Sequence, residues 1–413
     1  MKKLFLLLLL GFTLVGFSQT TEIPDPNFEQ ALIDLGYDTA PIDGSVLTAN
    51  ISGVTYLEID NRDIANLTGI EDFTALTTLY CFDNQLTSLD VSANSALELL
   101  NCNSNQLTSL DVSNNAALTA LFCSFNQLTS LDVNASPALE FLYCYTNQLT
   151  SVDVSLNNAL TELDFGKNQL TSLDVSNNTD LTTLYCDFNQ LTSLDVSNNP
   201  ALTILNCFTN QLTSLDVSSA NALTGLFCFD NQLTSLDVSA NTALELLNCY
   251  KNQLTSLDVS NNAALTALFC YTNQLTSLDV RNGNNTNLST FNSTSNSNLT
   301  CIYVDDASYS TANWTNIDPA STFVNNEAAC EILSLGDNTS VLDVNIFPNP
   351  TANYLFIEGN VNPVSITIYN LLGAKVIATS NTDKIDVSEL SNGVYIIKIS
   401  DGIDQTDRKF IKN

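Results

Sequence analysis

Two kinds of side chain recur along this sequence at a spacing that could support chemistry, namely cysteine thiols and aspartate carboxylates. Nine of the eleven cysteines lie at multiples of 21 residues, at Cys81, Cys102, Cys123, Cys144, Cys186, Cys207, Cys228, Cys249 and Cys270. Thiols in such a column could hold a metal or form a ladder of disulfides. The remaining position of the column holds Phe165, however, and an odd set cannot pair completely. A position that accepts phenylalanine is apolar, so we expect buried free thiols that act as small hydrophobic side chains.

A column of aspartates has the same spacing: Asp90, Asp111, Asp132, Asp153, Asp174, Asp195, Asp216, Asp237, Asp258 and Asp279. Carboxylates can bind calcium, and paired carboxylates can hydrolyse glycosidic bonds. A glycosidase needs a cleft and two different carboxyl environments, which a row of identical acids on a flat face lacks. Like charges about 5 Å apart repel, so we expect raised pKa values in this column. Neighbouring hydroxyls and solvent, or else bridging calcium, would offset that repulsion.

Histidine is absent from the sequence, which removes Ser-His-Asp and Cys-His nucleophile pairs and every histidine-ligated metal site. We therefore predict a protein that is not an enzyme, and we assign it no catalytic residue, no cofactor and no metal ligand apart from the open question of calcium. The formal net charge of −32 at pH 7 repels phosphate backbones and anionic lipids. Nucleic acid is not an expected partner.

These side chains belong to a 21-residue unit that runs ten times from Leu76 to Asn285 and reads approximately LTxLxCxxNQLTSLDVSxNxA. A looser unit, Val54 to Ala75, precedes it. Alternating inward and outward residues predict two short strands in each unit, as in Leu79 to Cys81 and Leu89 to Val91. One unit cannot bury its own leucines, but stacked units share one apolar interior and pair their strands in parallel. The repeat therefore predicts a mainly β solenoid.

The pattern LxxLxCxxNxL over residues 54–300 resembles the leucine-rich-repeat family. The resemblance implies a right-handed solenoid whose asparagines turn inward and bond the backbone of neighbouring coils. That position is occupied by Asn84, Asn105, Asn126, Asn147, Asn168, Asn189, Asn210, Asn231, Asn252 and Asn273. A short amide side chain can satisfy both a buried N–H and a buried carbonyl, so we interpret this column as structural.

If Leu79 and Cys81 point inward, the residues on either side of Cys81 point outward on the same strand face. Twelve aromatic residues occupy these two outward columns: Tyr80, Phe82, Phe122, Tyr143, Tyr145, Tyr185, Phe208, Phe227, Phe229, Tyr250, Phe269 and Tyr271. Asparagines and Asp164 stand among them. So many aromatic residues on one face indicate a candidate ligand-binding surface for protein or glycan. Alternatively, the rings stabilise neighbouring coils by cross-strand packing, and the two interpretations are compatible.

The two ends of the repeat array are expected to be closed by other segments. At the N-terminal end, Asp25 is a candidate helix N-cap, and Phe28, Ala31, Leu32 and Leu35 would form one apolar face. At the other end, Cys301 and Cys330 lie outside the cysteine column and could form a disulfide that pins the C-terminal cap.

The C-terminal segment contains five or more short strand-like runs and predicts a small antiparallel β-sandwich. It resembles the C-terminal sorting domain of the type IX secretion system of Bacteroidetes. The resemblance rests on Phe347 to Pro350, Tyr369 to Gly373, Leu390 to Tyr395 and Arg408 to Lys412. It implies passage across the outer membrane by the type IX machinery, usually with removal of the domain and either release or attachment to the cell surface.

The chain opens with Lys2 and Lys3 followed by an apolar run, which is typical of a cleavable secretory signal. No later run approaches the roughly 20 apolar residues that span a bilayer. We expect five segments: a signal peptide (1–18), an N-terminal cap (19–53), the solenoid (54–300), a C-terminal cap and linker (301–336) and the sorting domain (337–413). The sequence thus predicts a secreted or cell-surface protein that binds protein or polysaccharide through its aromatic face. The alternative is a structural spacer or coat component without a specific ligand.

Overall fold

The computed structural model describes residues 19–334, 344–359, 365–380, 382–401 and 405–413. The predicted signal peptide, residues 1–18, lies outside the described residues. The chain divides into two compact units, one ending at Leu233 and one beginning at Thr234. They are described in turn.

The first unit opens with a small cap made of two strands and two helices: β1 (Thr20–Glu22), α1 (Pro26–Asp34), β2 (Ser45–Leu47) and α2 (Thr48–Ile51). Strand β1 pairs antiparallel with β2. Asp25 caps α1, because one carboxylate oxygen accepts the backbone N–H groups of Asn27 and Phe28. Its other oxygen accepts the N–H groups of Ala65 and Asn66, which ties the cap to the first coil.

The helical cap is present as predicted, with one error in its apolar face. Phe28, Ala31 and Leu32 are fully buried. Leu35 is 40% exposed. The helix ends at Asp34, so Leu35 leaves the helical face and turns toward solvent. The carboxylate of Glu29, which is fully buried, accepts the N–H groups of Asp43 and Gly44 and closes the loop behind the helix.

Nine parallel strands follow in the first unit, one for each coil: β3 (Tyr56–Glu58), β4 (Thr78–Tyr80), β5 (Leu99–Asn101), β6 (Ala120–Phe122), β7 (Phe141–Tyr143), β8 (Glu162–Asp164), β9 (Thr183–Tyr185), β10 (Ile204–Asn206) and β11 (Gly225–Phe227). Neighbours pair in strict register, as between Leu79 and Leu100. The central leucine of a strand is fully buried, as is the cysteine two residues later. The leucines and the valine in the rest of the unit are also buried, although those equivalent to Leu89 keep a small exposed fraction. The predicted solenoid of 21-residue coils is confirmed.

The second predicted strand of each coil is largely wrong in this unit. In the described part of residues 76–233, the segments equivalent to Leu89–Val91 show one pairing, a single bridge between Asp90 and Asp111. The alternation that predicted a strand is real, since Leu89 and Val91 are buried while Asp90 is exposed. The carbonyl of Val91, however, accepts the N–H of Asn94 in the following turn and the side-chain amide of Asn115, so the segment is held by a turn and an amide side chain.

The asparagine column predicted to be structural is confirmed. In the coil of Asn105, the side-chain amide donates to the carbonyl oxygens of Cys81 and Cys102 at 3.0 and 3.1 Å. Its oxygen accepts the N–H of Leu86 at 3.0 Å. One side chain therefore satisfies three buried backbone groups and joins adjacent coils.

A second column of buried amides was not predicted. Asn94, Asn115, Asn157, Asn178 and Asn199 are fully buried in the turn that follows the valine. The amide of Asn115, for example, donates to the carbonyl oxygens of Val91 and Asn94 in the preceding coil. The repeat pattern contains this asparagine, in the motif VSxNxA. From the sequence alone, however, it resembles an ordinary polar residue of a turn.

The predicted buried free thiols are also confirmed. All nine cysteines of the column are free and buried. The Sγ atoms of Cys123 and Cys144 lie 3.3 Å apart. Burial raises the pKa of the Cys81 thiol well above its ordinary value, so this thiol stays protonated and unreactive at neutral pH.

The second unit contains further coils and then a cap: β12 (Leu246–Asn248), β13 (Ser256–Asp258), β14 (Ala267–Phe269), β15 (Ser277–Asp279), β16 (Thr290–Asn292), β17 (Cys301–Tyr303), α3 (Ala307–Asn313), β18 (Thr322–Val324) and α4 (Glu327–Ser334). Strands β12, β14 and β16 pair in parallel. Here the second segment of the coil does form strands, because β13, β15, β17 and β18 also pair in parallel.

The cap of the second unit is held by rings, a disulfide and ion pairs. The ring of Phe291 stacks on Trp314 with centroids 4.6 Å apart. A disulfide joins Cys301 to Cys330, with Cα atoms 5.8 Å apart. Arg281 bridges Asp279 and Glu327, which connects the last regular coil to α4.

The C-terminal segment forms two antiparallel sheets, as predicted, from β19 (Val344–Phe347), β20 (Tyr354–Gly359), β21 (Ser365–Asn370), β22 (Lys375–Thr379), β23 (Lys384–Asp386), β24 (Gly393–Ser400) and β25 (Gln405–Lys412). The order is β19-β20-β23 in one sheet and β22-β21-β24-β25 in the other. Leu355 and Ile385 from the first sheet and Ile366, Ile397 and Phe410 from the second share one buried core. Strands β23 and β25 were not among the predicted runs because charged residues interrupt their apolar pattern.

Candidate ligand-binding surface

The twelve predicted aromatic residues are all half-buried and occupy the outward positions beside the buried leucine and cysteine of their strands. In the first unit they are Tyr80, Phe82, Phe122, Tyr143, Tyr145, Tyr185, Phe208, Phe227 and Phe229; in the second they are Tyr250, Phe269 and Tyr271. We call those of the first unit the aromatic face. Each of these side chains is partly covered by its neighbours and partly exposed to solvent, which leaves apolar area available to a ligand.

Rings of neighbouring coils touch, so they also stabilise the stack by cross-strand packing. Phe208 and Phe229 stack with centroids 4.1 Å apart, and Phe122 meets Tyr143 edge to face at 5.2 Å. In the second unit, Tyr250 stacks on Tyr271 at 4.3 Å. Such pairs contribute about 0.5–1.5 kcal/mol each beyond buried area. The contacts also hold the rings in place, which lowers the entropy cost of binding a ligand.

Two further aromatic residues extend the aromatic face and were not predicted. Phe125 is 51% exposed and lies edge to face against Tyr145, at 5.4 Å between centroids. Phe188 is 45% exposed and lies against Phe208 at 5.0 Å. Both residues lie immediately before an asparagine of the asparagine column, and their backbone φ angles are positive. The sequence contains the signal, a phenylalanine in SFNQL and in DFNQL, but this position lies outside the two outward columns from which the surface was predicted.

The aspartate column behaves differently from the expectation. The pKa values of Asp90, Asp111, Asp153, Asp174, Asp195 and Asp216 are lowered, not raised. The cause is hydrogen bonding: the serine two residues later donates to the carboxylate from its side chain and from its backbone N–H, the latter at 2.9 Å in Asp90. These local bonds outweigh the repulsion between neighbouring carboxylates, which solvent screens. Within the described residues, no group of three or more acidic or cysteine side chains is arranged to hold a metal ion.

One part of the aromatic face is acidic and departs from the repeat. On strand β8 and in the loop after it, Glu162, Asp164 and Gly166 replace residues that are mostly uncharged or aromatic in other coils, and the next coil carries Asp187 beside Gly166. Burial first, and the negative charge of Asp187 to a smaller extent, raise the pKa of Asp164 to about 6 against the opposing effect of the hydrogen bond from the Gly166 N–H. Burial likewise raises the pKa of Asp187 to about 6. The hydroxyl of Tyr143 donates to Glu162. Of these acids, only Asp164 was noted in the sequence.

These raised pKa values predict that stability falls as pH rises. The folded chain holds the Asp187 proton more tightly than the unfolded chain, whose aspartates titrate near 3.8. The bound proton stabilises the folded chain fully below about pH 4. As the pH rises through about 6 this stabilisation is lost, which lowers the free energy of unfolding by up to about 3 kcal/mol. The surface aspartates, with lowered pKa values, act in the opposite sense only below about pH 4. We therefore expect urea midpoints to decrease between pH 4.5 and pH 7.5.

The matched control for this prediction is Asp187→Asn, which removes the titrating carboxyl with little change of shape. Its urea midpoint should depend on pH less than that of the wild type. An identical decrease in both proteins would show that Asp187 is not responsible.

Comparison with known proteins agrees with both parts of this architecture. Residues 345–413 match the family model of the secretion system C-terminal sorting domain. No curated protein sequence matches the chain. Among solved structures, the functional domain of InlJ from Listeria monocytogenes, described as including a cysteine ladder, is 29% identical with a TM-score of 0.65, over 96% of this chain and 99% of that one.

Two more distant structures share the fold. The internalin InlF of Listeria monocytogenes is 21% identical with a TM-score of 0.57, over 74% of this chain and 96% of that one. A leucine-rich-repeat protein of Leptospira interrogans is 21% identical with a TM-score of 0.51, over 67% and 85%. The chain is thus a leucine-rich-repeat solenoid with a C-terminal secretion sorting domain, and it is a secreted or outer-surface protein. In the part of the chain that the structure describes, no helix is long and apolar enough to cross a membrane.

Proposed function

We propose that this chain is a non-enzymatic binding protein, exported by the type IX machinery through its C-terminal domain, whose aromatic face recognises a protein or polysaccharide outside the cell. The observation that carries the proposal is the set of half-buried rings on one strand face, together with the exposed side chains of Phe125 and Phe188 beside them. Aromatic residues that are held in place and partly exposed are enriched where proteins bind ligands. Repeated shallow contacts along the coils would add up to useful affinity.

We further propose the segment boundaries expected from the sequence. Residues 1–18 direct export and are removed, residues 19–53 and 301–336 close the solenoid of residues 54–300, and residues 337–413 direct sorting. The sorting-domain match supports a role outside the cell, while the ligand of this chain is argued from its own side chains.

A stiff spacer or coat component is the second candidate, and the ring-to-ring contacts between coils favour it. Contacts such as Phe208 with Phe229 stabilise the stack whether or not a ligand binds. The two candidates differ in what happens when the rings are removed. A spacer loses stability alone, whereas a binding protein also loses its ligand.

Replacing Tyr143, Tyr145, Phe227 and Phe229 together with serine separates these candidates. We expect capture of ligands on glycan arrays, or of proteins from the native environment, to fall about 100-fold or more, because each buried aromatic contact contributes more than about 1 kcal/mol. The matched control replaces Asp111, Asp132, Asp195 and Asp216 with serine on the aspartate column, which should leave capture unchanged. Equal capture by all three proteins, with only a lower melting temperature in the aromatic variant, would favour the spacer.

A further inference from the structure

The coil of β8 interrupts the aromatic face of the first unit with a small acidic recess. Where other coils carry a side chain, Gly166 has none. A Cβ atom at Gly166 would lie 2.7 Å from Cδ2 of Tyr145 and 3.0 Å from Oδ1 of Asp187. Since the φ angle of Gly166 is not positive, glycine is needed here for space and not for backbone conformation. The Tyr145 ring and the Asp187 carboxylate both turn into the space it leaves.

Asp187 is buried there without a compensating charge. The residue is 5% exposed. Within the described residues, none of the ion pairs includes Asp187 or Asp164, and no other residue donates a hydrogen bond to the Asp187 carboxylate. Among the residues that the structure describes, Asp164 accepts a hydrogen bond only from the N–H of Gly166, at 2.9 Å. Burying an ionised carboxylate without a partner is costly, so the structure maintains a feature that is unfavourable in the free protein.

The groups around this recess are acidic and aromatic. Glu162 and the rings of Tyr143, Tyr145 and Tyr185 complete its surroundings. Tyr185 has a raised pKa because of burial first and then because of the negative charges of Asp164, Glu162 and Asp187. The nearby cation, Lys167, is exposed and uses its backbone N–H to bind the carbonyl of Asp187. In the described chain its ammonium forms no ion pair with these acids.

We propose that the Gly166 recess, formed by Asp164, Gly166 and Asp187 beside Tyr145, is the subsite that accepts a lysine or arginine side chain of a protein ligand. The proposal rests on the aromatic face being a binding surface, and it specifies the ligand class. A guanidinium supplies paired donors for carboxylates, and tyrosine faces attract a cation. A neutral polysaccharide would leave Asp187 without a counter-charge. Calcium is disfavoured because no group of three ligands is assembled among the described residues.

The recess is tested on the full chain with two small probes, N-acetyl-arginine amide and N-acetyl-citrulline amide, which differ in charge but hardly in shape. Ligand-observed NMR titrations at pH 7.5 should give an affinity for the arginine probe at least tenfold higher than for the citrulline probe. Asp187→Asn and Asp164→Asn should each reduce that preference strongly. Asp195→Asn, on the aspartate column of the same coil, should retain it.

Acidification provides a second measurement that needs no variant. Protonation of Asp164 and Asp187 below about pH 6 should remove the preference at pH 5, while exposed carboxylates stay ionised there. If Asp187→Asn fails to fold, the proposal is tested by the ratio of the wild-type affinities for the two probes and by the pH dependence of that ratio. Equal affinity of the two probes for the wild type, or a preference that Asp187→Asn leaves intact, would overturn the proposal.

Failure of this proposal is distinguishable from failure of the proposed function. Phe227 and Phe229 belong to the aromatic face but lie outside the recess. If their replacement by serine abolishes capture of a native ligand while the arginine preference is absent, the surface binds but the recess does not select a cation. If the arginine preference is present and the serine variants capture normally, the recess binds cations but the aromatic face is not the binding surface.

Discussion

Replacing Asn147 with alanine is expected to lower the free energy of unfolding of the solenoid by about 3 kcal/mol. The Asn147 amide donates to the carbonyl oxygens of Cys123 and Cys144 at 3.0 and 3.1 Å, and its oxygen accepts the N–H of Leu128 at 2.9 Å. Alanine leaves the buried N–H of Leu128 without a partner, at about 1–3 kcal/mol. It also removes one of the two amide donors of each carbonyl, at about 0.5–1.5 kcal/mol per lost bond, while Asn126 and Asn168 continue to donate to Cys123 and Cys144. Urea unfolding followed by circular dichroism measures the loss.

The neighbouring residue provides the control for this prediction. Gln148 belongs to the same coil, but its side chain is exposed. Its replacement by alanine should change stability by less than about 0.5 kcal/mol. If the two variants unfold at the same urea concentration, the asparagine column is not what joins the coils.

Removing residues 345–413 is expected to abolish appearance of the protein on the surface or in the medium of a bacterium that has a type IX system. This segment matches the sorting-domain family and has its own buried core, so its removal should leave the solenoid folded but without its sorting signal. Immunoblots of the periplasm, surface and medium measure the distribution. The control is a strain without the secretion machinery. In that strain the intact chain and the truncated chain should both be retained inside the outer membrane. Normal secretion of the truncated chain would contradict this route.

Much of the fold could be predicted because one chemical pattern is repeated in each coil. Leu79 and Cys81 alternate with Tyr80, and ten repetitions of that alternation leave a single interior in which these residues can be buried. The structural role of Asn84 could be predicted because a turn beside a buried strand has backbone N–H and carbonyl groups that need hydrogen-bond partners, which an amide side chain supplies. Apart from Leu35 in the cap, the predictions that failed concern the part of the unit around Asp90, where hydrogen bonds within one turn decide both the backbone pairing and the pKa values.

The recess could not be predicted for the opposite reason, since it depends on the few residues that break the pattern. Gly166 and Asp187 lie 21 residues apart in the sequence, and it is the stacking of the coils that places them side by side. A repeat pattern averages such exceptions away, although they are what gives a uniform surface a distinct position. Phe165 in the cysteine column lies in the same coil and marks the same interruption.

The account depends most on the aromatic face being the surface that a ligand covers. Tyrosine-selective chemical modification, read by mass spectrometry with and without a captured ligand, tests this directly. We predict that the ligand protects Tyr143, Tyr145 and Tyr185 from modification and leaves Tyr37 in the cap and Tyr309 in α3 as reactive as before. A bound ligand that leaves the first three tyrosines fully reactive would contradict the account and place binding elsewhere on the chain.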